Sequence, residues 1–185
     1  MSSTKERRLA KSSNWAAVSS LCITFHRQKS NLLHRIVETY LAYPEDKSTE
    51  KAILILSDVL GHKFVNAQLI ADQFATNGYF VAMPDLYNGD PCPMNPPQGF
   101  DWKKWLFNGH TVNEVDPIVE KVVAELKGNL GVKKLGAVGY CFGAKYVVRF
   151  LKSGQIDAGY VAHPSFVDES ELEAIEGPLS IAAAG

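Results

Sequence analysis

From residue 37 onward the apolar positions follow two alternating periods. Residues 37–43 alternate enough to predict a first strand, and Pro44-Glu45-Asp46-Lys47 is its turn. Residues 51–56 form a nearly continuous apolar run, the pattern of a strand buried on both faces. Across 66–76, Leu69, Ile70 and Phe74 fall at helical spacing, and Asn77-Gly78 supplies a stop. Another buried strand is predicted over 79–83. Residues 84–100 hold five of the nine prolines and read as a long loop. Asp101 is a candidate cap for a short helix over 101–107. Val115, Ile118, Val119, Val122, Val123 and Leu126 line one face of a helix over 112–127. A strand over 132–138 and a helix over 144–151 follow. Then come a strand over 158–162, a helix over 168–175 and the start of one more strand over 178–184.

This alternation predicts an α/β fold, a mostly parallel central sheet with helices on both faces. Ligands of such sheets sit at the carboxyl ends of the strands. Those ends are Ser57-Asp58, Pro84-Asp85, Cys141 and His163-Pro164. No internal repeat is visible.

At 185 residues the chain is long enough for one domain with a sizeable core. Charge is divided unevenly. Of 19 basic and 20 acidic side chains, seven and one fall in 1–35, which leaves 12 against 19 in the body, a net of −7. Residues 1–35 are therefore expected to be an atypical basic extension, disordered, and 36–185 the α/β domain. The acidic body argues against nucleic-acid binding. Cys22, Cys92 and Cys141 are too scattered for a disulfide framework or a zinc site. No His/Asp/Glu cluster has metal-ligand spacing. A reducing, cytoplasmic location is the expectation, with a mitochondrial address the alternative that the Ser/Arg-rich start suggests. No apolar run is long enough to span a bilayer.

The sharpest chemical signal is Gly139-Tyr140-Cys141-Phe142-Gly143. It joins a predicted strand to a predicted helix with a nucleophile at the apex. Such an elbow holds its central residue in a strained conformation and tolerates only small residues two positions away. A thiol at a helix N-terminus also sees the positive end of the helix dipole, which favours the thiolate.

Three segments, Leu56-Ser57-Asp58-Val59-Leu60-Gly61, Phe80-Val81-Ala82-Met83-Pro84-Asp85-Leu86-Tyr87 and Val138 to Ala144 with the elbow, closely resemble the dienelactone hydrolase family of the α/β-hydrolase fold. The likeness runs over about 37–184 and is greatest to the fungal and other eukaryotic branch, where His163-Pro164-Ser165-Phe166 also has counterparts. The resemblance implies a thiol nucleophile, Cys141, that attacks an ester or lactone carbonyl to form a thioester. It implies an oxyanion hole made by the Phe142 and Val59 N–H groups. Asp58 falls where bacterial members carry a Glu that contacts the thiol. Its shorter side chain makes that contact longer or abolishes it. The family's triad acid and histidine fall after the strand begun at 178–184. The chain reaches Gly185 before both, and before the fold's last strand and helix. The expectation is a truncated member crippled by three to six orders of magnitude.

His163, Tyr140 and Tyr87 are expected to line the pocket. For His163 a structural hydrogen bond is the alternative, and it lies too early to be the triad base. Asp58 has the alternative of an ordinary turn acid. His110 is a candidate capping or pocket residue. His26, His34 and His62 read as surface residues, and Asp85 as fixing its loop. Trp102, Trp105 and Phe107 read first as core side chains, with pocket cover the alternative. Asp168, Glu169, Glu171 and Glu173 read as a solvated helix face. Cys22 and Cys92 carry no expected chemistry.

The function expected is a cofactor-free cysteine hydrolase of small esters or lactones, of the carboxymethylenebutenolidase type and monomeric. The alternative is a non-catalytic truncated isoform or fragment with a reactive, redox-sensitive thiol.

Overall fold

The computed structural model describes residues 19–22 and 37–183. One sheet of seven strands runs through it. They are β1 (Ser19–Cys22), β2 (Glu38–Ala42), β3 (Lys51–Leu56), β4 (Phe80–Pro84), β5 (Lys134–Tyr140), β6 (Ala158–Ala162) and β7 (Leu179–Ala182). Five helices connect them: α1 (Val65–Thr76), α2 (Trp102–Phe107), α3 (Val112–Gly128), α4 (Phe142–Phe150) and α5 (Glu169–Glu173). The strand order is β1-β2-β4-β3-β5-β6-β7. β1–β2 and β2–β4 pair antiparallel, and the remaining four pairings are parallel. This is the α/β-hydrolase architecture.

The order reverses at β3. The chain places β4 on one side of it and then returns to place β5 on the other. A crevice opens beyond the carboxyl ends of two strands at such a switch point. Here those ends carry Ser57-Asp58 and Cys141, so topology alone brings the two loops together.

The sheet's two faces are set by the period of two along each strand. Ala52, Leu54, Leu56, Leu135 and Ala137 join the larger core with the inward faces of α3 and α4. Ile55, Val81 and Met83 join a smaller core under Ala71 and Ala75 of α1. In α3 the six predicted apolar residues are all buried, each contributing about 1.5–3 kcal/mol before entropy is counted. Thr111 and Glu114 close a capping box at its start, which stops fraying on the solvent side.

Several expectations are corrected. Ser19–Cys22 pairs with β2 as an edge strand. Its short Ser-rich pattern gave no periodic signal. The strand expected over 132–138 runs from Lys134 to Tyr140, because the Val132 N–H turns back to the Leu126 carbonyl at 2.9 Å. Trp102 and Phe107 are exposed, since the six-residue α2 turns only Leu106 fully inward. His62 is buried between Glu38 and Asp85, at 3.6 and 3.7 Å. Glu171 is buried too, clamped by Lys145 and Arg149 from α4. His26 and His34 lie outside the described residues.

Candidate active site

Cys141 sits alone between β5 and α4 with φ 51° and ψ −112°. A non-glycine residue in that conformation costs of order 1–3 kcal/mol and persists only where its surroundings over-determine it. The two flanking glycines do so. A Cβ on Gly143 would stand 2.1 Å from the Leu56 carbonyl oxygen and 2.6 Å from that of Ser57. A Cβ on Gly139 would stand 2.6 Å from the Ala144 Cα and 2.7 Å from a Val147 methyl. Without side chains, these positions let the start of α4 press onto the end of β3 and onto its own strand. The thiol is thereby held at the crevice, half-buried.

The neighbouring loop is built around one peptide unit. The Asp58 carbonyl accepts from the Gly61 N–H at 3.1 Å and from the Tyr87 hydroxyl at 2.8 Å. The next carbonyl, that of Val59, accepts from the Cys92 N–H at 2.8 Å. In a trans peptide the N–H points opposite to the C=O. Pinning the Asp58 carbonyl therefore aims the Val59 N–H the other way. Among the described residues the Val59 and Phe142 N–H groups donate to no protein acceptor. Phe142 opens α4, so its N–H is one of the helix's orphan donors.

Tyr87 is fully buried, its ring 5.3 Å from Phe142 and 5.6 Å from Trp105. Burial, then the charges of Asp58 and Cys141, holds its phenol well above the ordinary value. It stays protonated and keeps donating to Asp58. The sequence placed Tyr87 in the pocket wall. It stands behind the wall and fixes the loop. Asp85, expected to fix its own loop, accepts from the Tyr87 and Gly89 N–H groups at 3.0 and 2.6 Å.

The Asp58 carboxylate accepts from the Leu60 N–H at 2.9 Å, a turn contact within its own loop. The thiol has a different neighbour: Cys141 Sγ lies 3.4 Å from Ser165 Oγ. Ser165 was missed as a site residue, although it falls inside the His163–Phe166 segment that resembles the family. His163 is exposed, with φ 40°, its ring 6.4 Å from that of Tyr140. These two rings, with Asp58, Ser57, Ile55 and Phe64, line a small cleft of about 100 Å³ on the α1 side of the sheet. Cys141 does not line it. Three of the expected residues, Asp58, Tyr140 and His163, thus share the cleft. Cys141 and Phe142 form the elbow, and Val59 lies on the loop that follows β3. His110 is buried and stacks on Trp105 at 4.4 Å, behind Tyr87, while Thr111 caps α3.

Among the described residues no group of three His, Cys, Asp or Glu side chains is placed to hold a metal ion. Among the same described residues no helix is long and apolar enough to cross a membrane.

The model of the dienelactone hydrolase family matches residues 37–185. The chain is 57% identical to the hydrolase tropI of Talaromyces stipitatus over 155 residues, 80% of this chain and 61% of that protein. It is 35% identical to dienlactone hydrolase 1 of Gibberella moniliformis, covering 78% of this chain and 58% of that one. Among solved structures, m3DLH superposes with a TM-score of 0.60 at 16% identity over 82% of this chain and 64% of that one, a likeness of fold. The chain therefore spans about three-fifths of the length of these relatives. On the family match and these identities, the chain belongs to the dienelactone hydrolase family.

Proposed function

We propose that Cys141 is the nucleophile of a hydrolase for small esters or lactones of the carboxymethylenebutenolidase type. The observation that carries this is the strained Cys141 backbone at the switch point, enforced by Gly139 and Gly143. Strain kept at a turn that presents a thiol, with N–H groups at Phe142 and on the loop after β3 that have no protein acceptor among the described residues, fits acyl transfer.

The thiolate would attack the carbonyl carbon, forming a C–S bond as the carbonyl π electrons move onto oxygen. The oxyanion would take the Val59 and Phe142 N–H groups. Its collapse would expel the alkoxide and leave a thioester on Cys141. Water then cleaves the thioester, a step that needs a base. His163 lines the neighbouring cleft, so it is the first group within these residues to test in that role. In this reading the family's acid and histidine belong to the length that the relatives have beyond the match. The step needs no cofactor.

The test is intact-mass detection of an acetyl adduct after p-nitrophenyl acetate, with turnover followed in parallel. Wild type acquires one adduct on Cys141 and Cys141→Ala acquires none. An adduct that persists in Cys141→Ala would sink the proposal.

A further inference from the structure

The loop after β6 is held against the thiol with unusual care. Its two positive-φ residues, His163 (φ 40°) and Phe166 (φ 59°), bracket Ser165. The Ser165 N–H donates to the carbonyl of Cys141 itself at 3.2 Å. The His163 N–H donates to the Ala182 carbonyl at 2.8 Å, which ties the loop's start to β7. Its far end is tied to α4. Lys145, one turn beyond the nucleophile, donates to the Phe166 carbonyl at 2.6 Å and to the Asp168 and Glu171 carboxylates, both at 2.9 Å. An ammonium has three N–H donors, and these acceptors use all of them. Arg149 holds the same Glu171 at 2.6 Å and pairs with Asp116 of α3. The helix that carries the thiol at its N-terminus therefore also grips, through Lys145 and Glu171, the loop that carries Ser165.

We infer that the Ser165 hydroxyl is a hydrogen-bond donor to the Cys141 thiolate, and that Lys145 is the positioning residue that keeps it there. It rests on the reading of Cys141 as the nucleophile. A thiol can donate or accept, but a thiolate only accepts. Once the thiolate forms, the contact at 3.4 Å requires the Ser165 O–H to point at sulfur. A donor to the charged form favours that form. Asp58, whose shorter side chain was expected to lengthen or lose the family's carboxylate contact with the thiol, has an oxygen engaged with the Leu60 N–H. In this arrangement the hydroxyl takes over the support of the thiolate.

Alkylation of Cys141 by iodoacetamide, followed by mass spectrometry against pH, tests this without any ester. At about pH 7 the Ser165→Ala rate is expected to fall about tenfold, while at about pH 10, where thiols are largely ionised, it stays within about twofold. Ser165→Thr keeps the hydroxyl and is expected to stay within about twofold of wild type throughout. Lys145→Met is expected to lose about threefold at about pH 7 by loosening the loop. Cys92, alkylated in the same samples, serves as the internal reference. Equal profiles for wild type and Ser165→Ala would overturn the proposal, as would a Thr variant that falls as far as Ala. An unchanged Lys145→Met would overturn the positioning role. If wild type forms no acetyl adduct yet its alkylation still depends on Ser165, the hydrolase reading fails and this one stands.

Discussion

Gly143 meets the Leu56 carbonyl so closely that a Cβ there would lie 2.1 Å from the oxygen. The obstacle is backbone of the central strand, which has no rotamer by which to yield. Gly143→Ala is therefore expected to destabilise the fold by about 3 kcal/mol or more, the upper end of overpacking. Chemical denaturation reads this directly. A midpoint within error of wild type would mean that α4 can lift off β3 at little cost.

Cys141 itself stores strain in its backbone, at φ 51° and ψ −112°. Glycine reaches such conformations without a Cβ penalty. Cys141→Gly is expected to raise stability by about 1–2 kcal/mol while abolishing acylation. A melting temperature that falls or stays level would show that the elbow is relaxed in solution.

Tyr87 fixes the peptide whose N–H is the proposed oxyanion donor. Tyr87→Phe keeps the ring packing and deletes the 2.8 Å bond to the Asp58 carbonyl. The loss expected is about 1 kcal/mol of stability, together with a several-fold slower acetylation of Cys141. Slower acetylation with iodoacetamide reactivity intact separates a misplaced oxyanion donor from a damaged thiol. Unchanged acetylation would remove Tyr87 from the site.

His62 gives the acid limb of the stability curve a sign. Burial is the main cause that holds its imidazole below 6.5, outweighing the attraction of Asp85 and Glu38. Among the described residues its buried Nε2 has no hydrogen-bond partner, in keeping with a neutral ring. Above 6.5 both folded and unfolded states hold the neutral form, so this residue adds no pH dependence. Below 6.5 the unfolded chain binds the proton first, and stability falls with pH until the folded form titrates as well. Urea midpoints at about pH 7 and about pH 5.5 should therefore diverge less in His62→Gln than in wild type. A wider gap in the variant would reverse the sign.

The parts legible in the sequence were those set by local pattern. The bounds of β3 and β6 match the apolar runs residue for residue. The elbow was visible because close approach demands glycine on both sides of the nucleophile. What escaped depends on partners far apart in the chain. Tyr87 reaches Asp58 across 29 residues, and Ser165 reaches Cys141 across 24. Glu171 looked solvated within its own helix, and only the approach of Lys145 and Arg149 makes its burial tolerable. His62 lacked any local sign of the carboxylates that β2 and the end of β4 bring to it.

β7 closes the strand order with Leu-Ser-Ile-Ala, a stretch without a charge, and Ile181 is 52% exposed. Natural sheets guard such margins with lysine, proline or a bulge. Among the described residues nothing pairs with the outer rim, so within this segment it presents a template of amide and carbonyl groups to an extended peptide. Concentrated stocks of these residues should be expected to cloud and sediment well below the melting temperature, and a lysine at Ser180 is the simplest remedy to try at the bench.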